Sequence, residues 1–476
     1  MDQHAFCNSL AAIVGSANAL VAPADMAPYL TDWRDRYQGQ AWAVARPGDT
    51  AQVAAVMRLC QQYRVNVVPQ GGNTGLCGAA TPDNGRNLVL RLDRMNRIRD
   101  FDDVDAVLTV EAGCVLATIQ EEAATRGYLF PMSLGAEGSC QIGGNIATNA
   151  GGTAVLRYGP MRDLVLGLEV VLADGSVCDW LTPLRKNTTG YDLRQLFVGA
   201  EGTLGVITAA CLKVFPSPVQ RESAMVALAD VEAALALLKH LRGQIGERLL
   251  SFEIMNKAQV DIVLEHMPGI TWPMAQPTPW CVLIEVTDTL RSYDLRATLE
   301  VLLGEALEAG IIDDAVLPAS HQQQEALWRL RHNVSEANKR AGYGVSHDTA
   351  VPLRHQASFA RRVAEGVERD FPDAQLLMVG HIGDGNIHAV IMLDPARYTA
   401  PGALKAAAGA INTLVDEATL SLGGTISAEH GIGQTNKARL IRGRGAADIR
   451  RMQAVKRALD PDGRMNPGKV FDLGAE

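Results

Sequence analysis

The chain carries the stretch PQGGNTGLCG at residues 69–78, directly after a strand–helix–strand pattern over residues 41–69. Within that pattern the helix AQVAAVMRLCQQY can be capped by Asp49 or Thr50, and VNVVP follows as a short buried strand. Glycines after a strand let backbone N–H groups approach a phosphate closely, because no Cβ stands in the way. On its own, the loop fits a cluster of structural turns as well as it fits a phosphate site. It matches neither the GxGxxG fingerprint nor the GxxxxGK(S/T) phosphate loop, so a Rossmann dinucleotide site and an ATPase are both disfavoured.

Two further glycine-rich stretches lie in the same half of the chain, at residues 143–163 (GGNIATNAGGTAVLRYGPMRD) and 198–208 (VGAEGTLGVIT). Loops that are rich in Gly, Asn and Thr and poor in cations suit a bound pyrophosphate with an attached ring system. Between them, LVLGLEVVLADGSVCDW predicts a strand, an Asp-Gly turn and a second strand. Pro216 and Pro218 then mark a boundary.

After that boundary, strands such as WCVLIEVT alternate with long helices such as RATLEVLLGEALEAG. This succession predicts a second domain of the α+β class. The final segment contains two further loop motifs, EHGIG and MNPGKVF. We therefore expect domains at residues 1–216 and 217–420, and a C-terminal segment at 421–476 that returns to the first domain and to the functional site.

Composition excludes several classes of protein. The net charge of the 476 residues is −9, and no basic stripe is present, so nucleic acid is disfavoured as a partner. The eight cysteines include no CxxC pair, which argues against a disulfide framework and against a cysteine zinc site, and fits a reducing compartment. The first thirty residues contain no Lys or Arg, so neither a signal peptide nor a transit peptide is expected. No stretch of 18 apolar residues could span a membrane.

A histidine pair lies in LLMVGHIGDGNIHAVIML, residues 376–393, which predicts a hairpin with a four-residue loop. In such a hairpin Ile382 faces Ile387 and His381 faces His388. Directly opposed residues share one face of a sheet with Cβ atoms roughly 5 Å apart, so the two imidazoles can share a metal ion.

The run SAEHGIG, residues 427–433, can complete that site. Glu429 is a candidate third ligand, which would leave open coordination positions for a substrate. The adjacent His430 would then be free to act as a base. On an independent helical pattern, Arg331 and Ser335 lie four residues apart and on one face, where a guanidinium can bind a carboxylate with two hydrogen bonds.

The motifs together resemble one family. Five runs recur in it in the order found here: residues 69–78, 143–152, 199–207, GHIGDGNIH and EHGIG. The chain resembles the FAD-linked D-2-hydroxy acid dehydrogenases, which include D-lactate dehydrogenase and D-2-hydroxyglutarate dehydrogenase. These are flavoproteins of the vanillyl-alcohol-oxidase type. The resemblance runs from Ala41 to Phe471 and implies an α+β fold, with a two-subdomain FAD-binding domain and a substrate domain built on an antiparallel sheet.

The resemblance also implies where FAD binds. Gly71–Gly75 would hold the pyrophosphate, and Ile207 would lie near the adenine. The residues expected along the flavin are Gly143, Gly144, Asn145, Thr148 and Gly152. Further FAD contacts are expected from Pro69, Gly72, Asn73, Thr74, Ser133, Gly138, Gly202 and Asn466. Some relatives link FAD covalently through a histidine just after the paired glycines; Asn73 stands there, so we expect non-covalent FAD.

The resemblance assigns the chemistry residue by residue. His381, His388 and Glu429 match the metal ligands of the family, with zinc as the expected ion, and His430 matches its catalytic base. Arg331 matches the substrate-binding arginine, and Ser335 lies where the family often has Thr or Ser. The implied reaction is oxidation of a D-2-hydroxy acid to the 2-oxo acid, with hydride transfer from C2 to the flavin.

Two positions depart from the D-2-hydroxyglutarate enzymes of the family. Ser346 stands where those enzymes have a lysine, and Val390 stands where they usually have an asparagine. A second carboxylate buried without such partners costs several kcal/mol. We therefore expect a smaller acid such as D-lactate, with D-2-hydroxyglutarate as the alternative.

Other classes remain open from the sequence. A metallohydrolase built on His381, His388 and Glu429 would be colourless, and a non-catalytic nucleotide-binding or scaffold protein would not need the histidines. Within flavoenzymes, an oxidase is the rival to a dehydrogenase. No iron–sulfur motif or NAD loop is present, so electrons are expected to pass to an external protein, cytochrome or quinone. A second copy of the chain is a candidate partner. The expected location is the cytoplasm, with peripheral attachment to an inner membrane as a variant.

Overall fold

The structure, a computed structural model, describes residues 2–474. Its α-helices are α1 (Gln3–Val14), α2 (Pro23–Met26), α3 (Thr50–Tyr63), α4 (Leu116–Thr125), α5 (Ile142–Ala147), α6 (Val155–Tyr158), α7 (Met161–Leu164), α8 (Val231–Ile245), α9 (Lys257–His266), α10 (Leu295–Glu308), α11 (His321–His332), α12 (Val334–Ala341), α13 (Gln356–Asp370), α14 (Ala403–Ser421) and α15 (Lys437–Leu459). Short 3₁₀ turns lie at Ser16–Asn18, Ala27–Tyr29, Leu193–Leu196, Gly246–Arg248, Leu353–His355 and Pro395–Arg397.

Within residues 2–474 the β-strands form four sheets. They are β1 (Ala19–Leu20), β2 (Ala43–Ala45), β3 (Asn66–Gln70), β4 (Asn87–Arg91), β5 (Ile98–Asp102), β6 (Val107–Glu111), β7 (Tyr128–Leu129), β8 (Val165–Val171), β9 (Val177–Trp180), β10 (Val206–Lys213), β11 (Phe215–Pro216), β12 (Gln220–Leu228), β13 (Leu249–Asn256), β14 (Trp280–Asp288), β15 (Asp314–Val316), β16 (Tyr343–Ala350), β17 (Gln375–Gly380) and β18 (Asn386–Leu393).

The chain divides into two compact units. The first unit comprises residues 1–151, 159–216 and 429–476, and the second comprises residues 152–158 and 217–428. The domain ranges 1–216, 217–420 and 421–476 stay predictions from the sequence. None of the helices in residues 2–474 is long and apolar enough to cross a membrane.

The first unit contains the predicted strand–helix–strand element. Strand β4 lies between β2 and β3 and pairs with both in parallel, while β1 runs antiparallel to β2. Helix α3 begins where predicted, because the Asp49 carboxylate accepts a hydrogen bond from the backbone N–H of Gln52. It ends at Tyr63, and the left-handed backbone of the next residue, Arg64, caps the last turn. The glycine-rich loop that begins at residue 71 therefore leaves the end of β3.

The second sheet of this unit is antiparallel, with the strand order β5-β6-β10-β8-β9. The predicted strand, Asp-Gly turn and strand are confirmed as β8 and β9. Gly175 takes the left-handed conformation that this turn requires, at φ +80°. The short pair β7–β11 completes the sheets of the unit.

The second unit is built on a seven-stranded antiparallel sheet, in the order β15-β12-β14-β13-β17-β18-β16. Helices such as α8 cover the sheet with an apolar face, and α8 begins at Val231 because the Asp230 carboxylate caps it. The predicted α+β domain with an antiparallel sheet is therefore confirmed. Buried strands of this sheet present the side chains of the site described below.

The predicted pairing inside the histidine hairpin is wrong by two residues. Strand β17 ends at Gly380, and His388 lies opposite Val379, not opposite His381. The turn is formed by residues 382–385, since the N–H of Asn386 donates to the carbonyl of His381 at 3.2 Å and Ile382 is fully buried in the core. Because side chains alternate with a period of two, this shift leaves both histidines on one face as diagonal neighbours.

Candidate active site

A cleft in the first unit gathers residues from all three glycine-rich stretches. Seven of the residues predicted to bind FAD line it: Pro69, Gly71, Gly143, Gly144, Thr148, Gly202 and Ile207. Other lining residues that the sequence did not suggest include Ala112, Phe197 and Glu201. The cleft thus brings together the loop after β3, the start of α5 and the start of β10.

Close backbone packing explains why two of the predicted FAD-binding positions, Gly72 and Gly143, are glycine. A Cβ at Gly72 would collide with the carbonyl oxygen of Ser139 and lie 2.9 Å from the Cα of Cys140. At Gly143 a Cβ would lie 2.8 Å from the Cβ of Ala112, whose carbonyl accepts the Gly143 N–H. Glycine at these two positions therefore lets each loop pack directly against neighbouring residues outside the glycine-rich stretches.

The other predicted FAD residues are more scattered. Thr74 and Ser133 are half-buried, and Gly75 and Gly138 are exposed. The side chain of Asn73 donates to the carbonyl of Thr31 at 2.9 Å. None of these five residues lines the cleft. Gly152 belongs to the second unit.

Buried amide oxygens next to residues of this cleft could accept hydrogen bonds from a dinucleotide. The buried amide oxygens of Gln141, Asn145 and Asn466 accept no hydrogen bond from any described residue between 2 and 474. Gly71 packs beside Gln141, where a Cβ would lie 3.6 Å from Gln141 Oε1. The ribityl hydroxyls and the ring N–H of a flavin are donors, and they could satisfy such buried acceptors.

Glu201 links this cleft to the segment that carries His430, within the first unit. It is 6% exposed, and its carboxylate accepts the N–H groups of Ile432 and Gly433, both at 2.7 Å. Burial raises the pKa of Glu201, although these two hydrogen bonds act in the opposite direction. Asn466 also contacts Glu201, because its Nδ2 donates to the backbone carbonyl of Glu201 at 2.7 Å. Within this segment, His430 Nε2 lies 3.7 Å from Glu429 Oε1.

A buried carboxylate organises the site of the second unit. Glu253, on β13, is 1% exposed. Its Oε1 lies 2.7 Å from His381 Nδ1, and its Oε2 accepts a hydrogen bond from Arg331 Nε at 2.8 Å. Burial alone would raise the pKa of Glu253, but the charges of His381 and Arg331 and their hydrogen bonds hold that pKa below its usual value. The predicted substrate arginine and one predicted metal ligand therefore share one anion.

The second histidine of the hairpin lies beside the first. The ring centroids of His381 and His388 are 5.8 Å apart and the rings are nearly perpendicular, at 84°. His388 Nδ1 is 3.6 Å from Asp348 Oδ1, a carboxylate on the neighbouring strand β16. Asn386 Nδ2 donates to the same oxygen at 2.9 Å. Two imidazoles on one face, each with a carboxylate beside it, form a donor set that suits a divalent metal.

Asp348 also anchors the chain that leads into Glu429. Its Oδ2 accepts the N–H of Ala428 at 3.0 Å and lies 3.4 Å from Ser427 Oγ. Ala428 is the last residue of the second unit, and Glu429 follows it directly in the chain. The predicted third ligand is thus covalently attached to a segment that Asp348 holds.

The predicted substrate residues lie on four elements of the second unit. Arg331 and Ser335 do not lie on one helix, since α11 ends at His332 and α12 begins at Val334. Ser346 and Val390, the two departures from the D-2-hydroxyglutarate enzymes, are direct cross-strand partners on β16 and β18. The side chain of Val390 is buried at 6% exposure, whereas Ser346 is exposed.

The sequence did not suggest Glu201, Glu253, Asp348 or Asn386 as site residues. One signal was present for Glu253: a lone acid in the apolar run LLSFEIMN predicts a buried charge, and buried charges are paired. Its partners could not be found in the same way, because they lie 78 and 128 residues away in the chain.

A dinucleotide cleft in an α+β unit and a histidine–carboxylate site on an antiparallel sheet define an FAD-linked oxidoreductase. The family described as "FAD binding domain" matches residues 41–180, and "FAD linked oxidases, C-terminal domain" matches residues 217–470. Among solved structures, p-cresol methylhydroxylase with bound substrate is similar at a TM-score of 0.76 and 17% identity, over 99% of this chain and 98% of that one. That likeness confirms the predicted fold of the vanillyl-alcohol-oxidase type.

Two relatives identify the family more closely than the domain matches do. The mitochondrial D-2-hydroxyglutarate dehydrogenase of Bos taurus is 38% identical over 95% of this chain and 81% of its own length. A candidate mitochondrial D-lactate dehydrogenase of Schizosaccharomyces pombe is 35% identical over 94% of this chain and 85% of its own length. The chain belongs to the FAD-linked D-2-hydroxy acid dehydrogenase family.

The predicted cytoplasmic location is wrong by comparison with these relatives, both of which are named as mitochondrial. That prediction rested partly on scattered cysteines. Unpaired cysteines indicate a reducing compartment, and several compartments of a cell are reducing.

The packing of Gly72 generates a test of the cleft. In Gly72→Ala the added methyl group meets backbone atoms of Ser139 and Cys140, which cannot rotate away. Overpacking of this kind costs about 1–3 kcal/mol, so we expect the dissociation constant of FAD to rise about tenfold or more. The measurement is the flavin-to-protein absorbance ratio during dilution. Gly135→Ala is the matched control, since a Cβ there meets no atom within 4 Å; full flavin retention by Gly72→Ala would contradict the expectation.

Proposed function

We propose that the protein oxidises a D-2-hydroxy acid to the 2-oxo acid, with FAD in the first unit as the hydride acceptor and a divalent metal at the histidine pair. The observation that carries this proposal is the arrangement of Arg331, Glu253 and His381. A guanidinium that can bind a carboxylate stands beside an imidazole of the metal-binding type, with one buried anion between them. An α-hydroxy acid needs such a pair, because its carboxylate and its reactive hydroxyl are on adjacent carbons.

Substrate binding and proton removal would fall to different residues of the chain. Arg331 would bind the substrate carboxylate through charge-assisted hydrogen bonds, with Ser335 as a further contact. His430 would accept the hydroxyl proton, a task for which an imidazole is suited near neutral pH. Loss of that proton from oxygen and of a hydride from C2 would leave the 2-oxo acid, and FAD, when bound, would supply the two-electron acceptor for the hydride.

His381, His388 and Glu429 would hold the metal, and zinc is the ion that we favour. When bound, a divalent metal would lower the pKa of the substrate hydroxyl as a Lewis acid. Support comes from the 5.8 Å separation of the two imidazole rings and from the carboxylate beside each of them. Electrons would leave the reduced flavin to an external acceptor, as in a dehydrogenase.

We further propose a monocarboxylate such as D-lactate as the substrate. Support comes from the Ser346–Val390 pair, which offers a hydroxyl and an apolar surface where a second carboxylate would need a cation. The second candidate is D-2-hydroxyglutarate, which the name of the bovine relative favours.

FAD should be bound without a covalent link, since Asn73 offers an amide in place of a histidine and that amide already donates to Thr31. Precipitation of the purified protein with acid should release the yellow chromophore into the supernatant. A pellet that stays yellow after washing would show a covalent bond and refute this part of the proposal.

Replacement of His430 by alanine tests the assignment of the base. Because general base catalysis is typically worth 10²–10⁴-fold, we expect the rate of flavin reduction by D-lactate to fall by about that factor. Anaerobic bleaching of the flavin absorbance in a stopped-flow instrument measures it. His321→Ala, which alters an exposed histidine at the start of α11, is the control. Unchanged bleaching by the His430 variant, with FAD and metal still bound, would exclude it as the base.

The substrate assignment is tested by Ser346→Lys. The new ammonium group would face a second substrate carboxylate, and a hydrogen bond to a charged group is worth about 1.5–3 kcal/mol. We therefore expect kcat/KM for D-2-hydroxyglutarate relative to D-lactate to rise about tenfold or more. Ser346→Met, of similar length without the charge, serves as the comparison. If the unmodified enzyme already preferred D-2-hydroxyglutarate, the monocarboxylate assignment would fail and the second candidate would stand.

A further inference from the structure

Glu253 contacts two side chains that the proposed mechanism uses for different purposes. One carboxylate oxygen lies 2.7 Å from His381 Nδ1, and the other accepts from Arg331 Nε at 2.8 Å. We infer that Glu253 is a positioning residue that fixes the metal-binding imidazole and the substrate-binding guanidinium together, an inference that rests on the proposed function. It would act through these two residues, without touching metal or substrate itself.

The contact with His381 selects which ring nitrogen can bind a metal. A carboxylate accepts hydrogen bonds, so the nitrogen that faces it carries the proton. With the proton on Nδ1, the lone pair of Nε2 is available to a metal ion. A carboxylate behind a metal-binding histidine also raises the basicity of the ring, and removal of such a partner typically weakens metal binding about 10–100-fold.

The contact with Arg331 fixes the direction of its guanidinium. Its Nε–H is committed to Glu253 at 2.8 Å, which leaves the two terminal nitrogens to bind a substrate carboxylate. Arg331 comes from helix α11 and His381 from the loop after β17. A single buried anion on β13 therefore sets the spacing between the two groups that must contact neighbouring parts of one substrate.

A glutamine cannot replace this carboxylate. The amide of Gln has one acceptor oxygen, and its nitrogen is a donor, whereas His381 Nδ1–H and Arg331 Nε–H are both donors. In Glu253→Gln either one of the two contacts breaks, or His381 accepts from the amide and carries its proton on Nε2, the nitrogen that would bind the metal. The matched control is Glu285→Gln, because Glu285 is also buried on this sheet, at 4% exposure, and contacts Arg221 at 3.6 Å.

The experiment is a titration of the FAD-loaded, metal-stripped protein with ZnCl₂ against a chromophoric chelator. We expect Glu253→Gln to raise the Zn²⁺ dissociation constant by about 10–100-fold. Glu285→Gln should bind Zn²⁺ like the unmodified protein, and flavin content should be equal in all three. At saturating Zn²⁺, Glu253→Gln should still raise the KM for D-lactate, because the guanidinium is no longer held.

The outcomes separate this inference from the proposed function. If the unmodified protein binds Zn²⁺ and Glu253→Gln binds it equally well, the inference is overturned and the metal site stands. If the unmodified protein does not bind Zn²⁺, the metal part of the proposed function fails, and the inference fails with it. Equal weakening in Glu285→Gln would show a general effect of altering a buried glutamate and would also overturn the inference.

A second measurement needs no variant of Glu253 and so does not depend on that variant folding. In Zn²⁺-loaded protein labelled with ¹⁵N-histidine, the His381 ring should carry its proton on Nδ1, as identified by the signals that disappear in His381→Gln. A proton on Nε2 of His381 would overturn the inference.

Discussion

A carboxylate that loses its water on folding must find cationic or N–H partners, because the penalty for an unpaired buried ion is several kcal/mol. Glu253 meets this constraint with Arg331 and His381, and the need for both partners brings helix α11 and the loop after β17 to the same point on β13. Asp348 meets it with Asn386, His388 and the N–H of Ala428. The arrangement of the second unit's site thus follows from the burial of two anions within one antiparallel sheet.

In the first unit a buried carboxylate is likewise paired with hydrogen-bond donors, but there the donors are backbone N–H groups and the contact holds a chain segment in place. Glu201, in the third glycine-rich stretch, is buried and binds two successive backbone N–H groups just after His430. A loop that borders the FAD cleft therefore also fixes the segment that carries the proposed base. Because backbone N–H groups cannot rotate away as side chains can, such a contact holds the segment more firmly than a surface ion pair would.

The order of the chain has a functional consequence. The first unit is built from the N-terminal part of the sequence and from residues 429–476, so the chain returns to it after the second unit is complete. The return begins at Glu429, directly after a residue that Asp348 binds. The residues proposed as third metal ligand and base are therefore the first two residues of the returning segment.

Local patterns were sufficient for much of this architecture. The apolar patterns predicted the strand–helix–strand element, the β8–β9 hairpin and an α+β second unit, and all three are observed. The antiparallel sheet of that unit was implied by the family resemblance. The residue types in the glycine-rich loops indicated a pyrophosphate with an attached ring system, and seven of the residues that the resemblance assigned to FAD line one cleft. The two hairpin histidines were correctly expected on one face, since a register error of two residues preserves the face even though it changes the partner of His388 to Val379.

Tertiary structure alone decided which charges meet. Glu253 finds Arg331 78 residues away and His381 128 residues away, and Glu201 finds Ile432 231 residues away. No periodicity in a sequence encodes such pairings, because each depends on how separate strands and helices pack. The sequence pattern is helical on both sides of Asn333, so it did not predict the break between α11 and α12 at this residue. The sequence by itself thus determined the secondary-structure elements, the faces that they bury and the chemical groups available. The packed structure determined which of these groups lie within hydrogen-bond distance. The physical reason is that a hydrogen bond requires contact, and contacts between residues distant in the chain form only when the elements pack together.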